Sequence, residues 1–370
     1  ISPEYRVERD ADAQTLPETR AYSPASIGKA YLRLSGIQPR LTKQPDFPPE
    51  VLGFAMTAFF GGRAETRIRR VSVPVVYLDF LSMYATVNSL MDLWDMLRCE
   101  RAENVDDTQR FLEWFDRLTV DDCFRPETWR ELTGIAHLEP SDCVLPLRAK
   151  YAAATQSFEI GLNPVTSKIA LWYSIADVVA SWLLTGRKPR LIRVLKFVPI
   201  GRQPDLHAVA LRGSVAIDPA KKDFFRSVIE ERQRVKRSEL PEVERQSLGD
   251  FLKVLANSTA YGINAEMNPN NVPPGDNGNV TVYGLEAPFE ANVSAPERPG
   301  AYFFAPAAAC ITAGARLMLA LLERAVSDAG GTYAFTDTDS MAIVASQNVE
   351  LLPCEGGAEQ LSDGTACIRA

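Results

Sequence analysis

Thr332 to Ala345 reads TYAFTDTDSMAIVA, two β-branched and aromatic runs on either side of Asp337-Thr338-Asp339-Ser340. Apolar runs at 332–335 and 341–345, with turn-forming residues between them, predict a β-hairpin. Its tip carries two carboxylates two residues apart. On a continuing strand such residues share one face, where like charges repel and one pKa rises. A divalent cation relieves that conflict, and hard carboxylate oxygens suit Mg²⁺. Turns rich in Asp, Thr and Ser are also common on plain surfaces, so the hairpin alone leaves both readings open.

Upstream, Val71 to Phe80 (VSVPVVYLDF) is an apolar run of buried-strand type that closes on Asp79. A carboxylate at a strand end is useful only toward solvent or a cation. Ser82 to Leu97 follows with Met83, Val87, Leu90, Met91 and Trp94 at helical spacing. Residues 101–140 read as short amphipathic helices, 143–161 as strands, Ser167–Leu184 as a buried helix and Leu191–Ile200 as a strand. Two helices come next, Pro219–Ser238 and Pro241–Tyr261, with Pro241 suited to the first turn of the second. Residues 268–300, rich in Pro, Gly and Asn, predict an irregular loop or loose hairpin, and Ala307–Ala325 a helix of small residues. Proline-dotted residues 1–50 read as a linker or the tail of an upstream domain. The pattern as a whole is α+β with a helical projection.

The chain has 370 residues, 46% hydrophobic and 24% charged, as expected of a globular protein. No run approaches the roughly 18 consecutive apolar residues of a membrane span. No signal peptide is visible. The sequence opens on Ile1, so a piece of a longer chain is expected. Six scattered cysteines and two histidines exclude the common zinc spacings. Reduced thiols and a cytoplasmic location are the expectation.

A net charge of −7 argues against indiscriminate phosphate binding. The charge is uneven, however. Arg187 to Lys253 holds 16 Lys and Arg against 9 acids, whereas Asp92 to Asp142 holds 14 acids against 6 arginines. Phosphate held at one place fits that distribution, as does a solvated surface. Within the basic segment Arg232 and Lys236 are four residues apart, hence on one helical face, and Lys253 and Asn257 repeat the spacing on the next helix. Two such faces on paired helices make a cationic cleft suited to a triphosphate. Tyr261-Gly262 adds an aromatic face and room for close backbone approach. Acids on two strands with cations between them in sequence are what two-metal phosphoryl transfer requires.

Three segments, in order, resemble motifs A, B and C of family B DNA-directed DNA polymerases. Asp79 to Thr86 (DFLSMYAT) is similar to D-x-x-S-L-Y-P-S, Lys253 to Gly262 (KVLANSTAYG) to K-x-x-x-N-S-x-Y-G, and Phe335 to Ser340 (FTDTDS) to Y-G-D-T-D-S. Phe60-Gly61-Gly62 resembles the Y-x-G-G linker, Arg232 to Lys236 the first fingers helix, and Leu184 to Pro189 the stretch leading to it. Ala85 replaces the usual proline, Phe335-Thr336 replaces Tyr-Gly, and Thr259-Ala260 puts one extra residue before Tyr261. That extra residue either turns Tyr261 about 100° round the helix or forces a bulge.

The resemblance implies a polymerase palm, an antiparallel sheet backed by helices, with a helical-hairpin fingers subdomain and no recognisable thumb. It divides the chain into 1–58 (linker or tail), 59–218 (palm, with a helical insertion at 98–160), 219–263 (fingers) and 264–370 (palm with motif C). It implies that two Mg²⁺ ions, or Mn²⁺ in their place, are held by Asp79, Asp339 and the Phe80 carbonyl, with Asp337 nearby. It further implies that Arg232, Lys236 and Lys253 bind the triphosphate, Lys253 also giving a proton to pyrophosphate. Tyr84 would exclude a 2′-hydroxyl, and Ser82, Asn257 and Tyr261 would line the nucleotide site. The implied partners are primer-template DNA, dNTP and accessory replication proteins, with no membrane. A catalytically inactive, DNA-binding relative is the alternative. An RNA-templated polymerase typically has adjacent aspartates, which Thr338 separates here. A paired-acid nuclease or phosphatase has no use for the cationic helices.

Overall fold

A helix's first backbone N–H groups have no acceptor within the helix, so a proline there forfeits nothing. Pro49 uses this position to start a helix rather than to mark a linker. The computed structural model describes residues 23–150, 158–211, 215–269, 277–284, 287–345, 350–354, 357 and 359–369. The described chain opens with α1 (Pro24–Leu34), α2 (Arg40–Lys43) and α3 (Pro49–Thr57). Ile27, Tyr31 and Leu32 are buried in one core cluster and Phe47 and Val51 in another. The expected linker at 1–58 is thus corrected over 24–57, which is helical and packed; residues 1–22, including Asp10-Ala11-Asp12, lie outside the described ones.

The chain continues through β1 (Arg63–Thr66), β2 (Val75–Asp79), α4 (Met83–Leu90) and α5 (Trp94–Arg98). The single helix expected over Ser82–Leu97 is broken near Asp92, whose φ is 52°. Next come β3 (Arg101–Asp106), α6 (Thr108–Arg117), α7 (Pro126–Arg130), β4 (Gly134–Glu139), β5 (Cys143–Ala149), β6 (Glu159–Val165), β7 (Leu171–Ser174), α8 (Ile175–Thr185) and β8 (Arg190–Ile200). An antiparallel sheet of order β3-β8-β4-β7 runs through this region. The helical insertion expected at 98–160 is therefore corrected to a mixed unit. Its strands were hidden because β3 and β4 each pair with β8, far along the chain. Likewise the buried helix expected from Ser167 begins only at Ile175, after β7.

Short strands β9 (Val209–Leu211) and β10 (Val215–Ile217) precede the helical hairpin α9 (Phe224–Lys236) and α10 (Glu242–Ala260). The Asp223 carboxylate caps α9 by accepting from the Phe225 and Arg226 amides at 2.7 and 3.3 Å. Residues 268–300 contain paired strands: β11 (Met267–Pro269) with β14 (Glu297–Pro299), and β12 (Gly278–Val282) with β13 (Phe289–Val293). Then follow α11 (Ala305–Asp328), β15 (Tyr333–Thr338) and β16 (Ser340–Val344). A small sheet of β17 (Leu351–Pro353), β18 (Glu359–Gln360) and β19 (Ala366–Arg369) ends the described chain. The fold is a mixed helix and sheet arrangement with antiparallel sheets. All six cysteines are free and buried.

The sheet that matters for the site has the order β1-β15-β16-β2, every pair antiparallel. Its edge strand β2 corrects another expectation. Val75, Val76, Tyr77 and Leu78 are 41%, 51%, 56% and 42% exposed, so the apolar run is not buried. A continuous apolar run specifies extended backbone but cannot say what covers its faces.

Beneath this sheet α11 is the central core helix. By length and composition it could cross a membrane, yet 89% of its apolar window is buried inside the protein. Its small residues allow close approach: a Cβ on Gly314 would sit 2.5 Å from Val87 Cγ1 of α4. It also carries Arg316, wholly buried, which makes a bidentate pair with Asp177 of α8 through two 2.7 Å bonds. Replacing Asp177 by alanine leaves the Arg316 charge buried and unpaired, and should cost about 3–5 kcal/mol of stability. Urea unfolding of the wild type and the Asp177→Ala variant measures it.

Candidate active site

The site begins with the pairing of β2 and β16. Asp79 lies opposite Ser340, and the Phe80 amide donates to the Asp339 carbonyl at 2.8 Å. Asp79, the last residue of its strand, therefore stands beside the residue that ends the hairpin turn. Burial raises the Asp339 pKa and the Asp79 charge raises it further, while Lys253 acts in the opposite direction and Asp337 adds to the rise. A carboxylate distant in sequence, Asp79, and a lysine of α10, Lys253, thus both act on Asp339 through space, in opposite directions.

The turn itself is tight. The Asp339 amide donates to the Asp337 carbonyl at 2.7 Å around Thr338, which has φ 58°. The expectation that Asp337 and Asp339 share a strand face is corrected, because β15 ends at Thr338 and alternation stops there. Asp337 is exposed. Its carbonyl also accepts from Ser340 Oγ at 3.0 Å, and Ser340 Oγ shares a 2.5 Å hydrogen bond with the Tyr77 hydroxyl.

Ser82 follows Asp79 by three residues and adopts a left-handed conformation, φ 47° and ψ 49°, where α4 begins. A non-glycine residue there is strained and must be held by its surroundings. The holding contact comes from α9: Arg232 Nη1 donates to Ser82 Oγ at 2.9 Å. Arg232 Nε is buried with no hydrogen-bond partner among the described residues. Neither Arg232, Lys236 nor Lys253 has an ion-pair partner among the described residues. By contrast Arg226, Arg234 and Arg245 of the same two helices pair with Glu230, Glu231 and Glu242. Lys236 and Lys253 are exposed, and Asn257 is half-buried.

Three aromatic rings form a ladder beside these groups. Tyr84 stacks on Tyr261 at 4.9 Å and 22°, and Tyr261 on Phe59 at 6.1 Å and 26°. Burial, with the neighbouring Tyr261, pushes the Tyr84 phenol up to about 12. The extra residue before Tyr261 makes no bulge. Helix α10 stays α-helical through Ala260, and Tyr261 leaves it with its amide still bonded to the Asn257 carbonyl at 3.2 Å. Asn88 of α4 fixes this junction by donating from Nδ2 to the carbonyls of Tyr84 and Ala260 at 2.8 and 3.1 Å.

The candidate site residues fall on β2, its continuation into α4, the β15–β16 turn, α9, α10 and Tyr261, which follows α10. Contacts, pairing or electrostatic coupling link Asp79, Phe80, Asp337, Asp339 and Lys253 in one group, Ser82 with Arg232 in a second, and Tyr84 with Tyr261 in a third. Among the described residues, no hydrogen bond or ion pair links Lys236 or Asn257 to the acids. Sequence reasoning missed Asn88, Asp177 and Arg316. An acid inside the all-round apolar stretch at Ser167–Leu184 was the available signal for Asp177, because a charge there needs a buried partner.

No family model matches the chain, and no curated protein matches it. Among solved structures it is similar to phi29 DNA polymerase complexed with primer-template DNA and incoming nucleotide substrates. That match has 16% identity and a TM-score of 0.45, and covers 94% of this chain and 52% of that one. It is also similar to phi29 DNA polymerase complexed with single-stranded DNA, at 17% identity and a TM-score of 0.41, over 92% of this chain and 55% of that one. The chain spans about half the length of these neighbours.

The environment of Tyr84 has a spectroscopic consequence. Tyr84→Phe should remove a phenol that titrates at about 12 from the ultraviolet difference titration of the folded protein. A lost transition near the ordinary value of about 10 would contradict the buried, ring-stacked position.

Proposed function

We propose that the chain performs template-directed DNA synthesis, transferring a nucleotide from dNTP to a primer 3′-hydroxyl, as the palm and fingers region of a family B polymerase. The observation that carries this reading is the meeting of Asp79 and Asp339 across β2 and β16, within electrostatic reach of Lys253. Among the described residues, a lysine without a carboxylate partner then acts on a pair of acids that have no ion-paired cation of their own. That is the arrangement a metal-bound triphosphate completes.

The residues present fit divalent ions. A carboxylate whose proton affinity is raised by burial and by a second carboxylate, as at Asp339, is relieved by a cation, and hard carboxylate oxygens suit Mg²⁺, or Mn²⁺ in its place. Asp79, Asp339 and the Phe80 carbonyl would hold the ions, with Asp337 as an outlying acid. Bound there, such ions supply a more acidic 3′-hydroxyl and neutralisation of the triphosphate.

The remaining work falls to the protein's own groups. Arg232 and Lys236 on α9 and Lys253 on α10 bind the β- and γ-phosphates, and the orphan Arg232 Nε is a donor awaiting an acceptor. Lys253 gives a proton to the departing pyrophosphate. Ser82 aims Arg232 through its 2.9 Å hydrogen bond. Tyr84 packs under the sugar and leaves no room for a 2′-hydroxyl. Tyr261 backs Tyr84 and borders the nascent base pair, with Asn257 beside it. Primer-template DNA and accessory replication proteins complete the assembly.

Asp339→Asn tests the acids. Magnesium-dependent primer extension should fall by at least about a thousandfold, while circular dichroism and the unfolding midpoint stay at wild-type values. Retained extension in the variant refutes the assignment of the acids, whereas a wild-type chain that extends no primer makes an inactive DNA-binding relative the better reading. Tyr84→Ala tests the sugar site: incorporation of rNTP relative to dNTP should rise about tenfold or more. Unchanged discrimination in single-nucleotide incorporation removes that role from Tyr84.

A further inference from the structure

The Phe60-Gly61-Gly62 segment runs between the buried core and the candidate active site, and it is gripped on both sides. From below, Arg316 Nη1 donates to the Phe60 and Gly61 carbonyls at 2.8 and 2.6 Å. The same guanidinium is locked in place by its bidentate pair with Asp177, both side chains being fully buried. Its arginine geometry matters, since one planar fork reaches a carboxylate and two carbonyls at once. On the other side Gly62 presses against the site. A Cβ at Gly62 would lie 2.8 Å from Thr338 Cγ2 and 3.0 Å from the Tyr84 hydroxyl. Thr338 is the strained residue between the two acids of the turn. The Arg316 charge also acts on the phenols of Tyr84 and Tyr261, opposing the effect of burial on each.

We propose that Arg316, held by Asp177, is a positioning residue for sugar selection. It fixes the height of the Phe60–Gly62 backbone, and that backbone sets where the Tyr84 hydroxyl and the Thr338 turn stand relative to an incoming nucleotide. This inference rests on the polymerase reading above. Arg316 touches no substrate and acts only through the Phe60–Gly62 segment it grips. A buried pair that served stability alone could be exchanged for apolar side chains of similar volume, often with no loss. What such an exchange cannot replace here is the donation to two backbone carbonyls beside the site.

Single-nucleotide incorporation with dNTP and rNTP should be measured for the wild type, the double variant Arg316→Met with Asp177→Leu, and Gly62→Ala. The double variant should unfold at or above the wild-type midpoint, raise KM for dNTP more than it lowers kcat, and lose dNTP-over-rNTP discrimination by about tenfold to a hundredfold. Gly62→Ala, which leaves the ion pair intact and crowds only Thr338 and Tyr84, should lose discrimination in the same direction. Wild-type discrimination in a folded double variant overturns the proposal, and so does wild-type discrimination in Gly62→Ala, which decides the matter if the double variant does not fold. A wild-type chain that extends no primer removes the polymerase reading, and this inference with it. Extension by the wild type with unaltered selectivity in the variants removes only this inference.

Discussion

The candidate site depends on the register of β2 against β16. Asp79 reaches Asp339 only because Asp79 lies opposite Ser340, with the Phe80 amide closing the last rung onto the Asp339 carbonyl. A slip of one residue turns the Asp79 side chain to the opposite face of the sheet. The central strand resists that slip because both of its faces are buried, Met341 in the main core and Ala342 and Val344 in a second cluster. At the far end the Ala345 amide donates to the Pro74 carbonyl at 3.1 Å. Pro74, which has no N–H of its own, takes part as an acceptor only.

Around that junction the protein tolerates unfavourable local choices. Ser82 and Thr338 both occupy left-handed conformations that cost on the order of 1–3 kcal/mol each. Each is held by a contact from elsewhere, Ser82 by Arg232 and Thr338 by the close packing of Gly62. The electrostatics follow the same logic. Arg226, Arg234 and Arg245 of the helical hairpin are each neutralised by a neighbouring glutamate, whereas Lys253, which acts on Asp339, has no ion-pair partner among the described residues. The net charge of −7 says little about this place, because a local field is set by what lies within about one Debye length.

The buried Arg316–Asp177 pair connects core and site. It joins α11 to α8, the two most deeply buried helices, and spends its remaining donor on the backbone of the glycine-bearing segment that leads into β1. A packed helix is a rigid reference, so the segment it holds is located to the precision of the core rather than that of a surface loop.

Much of the molecule could be read locally. The β15–β16 hairpin with its two acids, the helix pair with cations at four-residue spacing, the strand ending in Asp79 and the strand at 191–200 all follow from periodicity and turn chemistry, which depend on near neighbours in the chain. Tertiary structure alone decided that β2 is an exposed edge, that 24–57 packs as helices, and that β3 and β4 join β8 in a sheet. It also decided how the extra residue before Tyr261 is absorbed, and that Asp177 and Arg316 find each other. Each of these depends on a partner more than fifty residues away or on which face a neighbour covers, and short-range pattern carries no record of either.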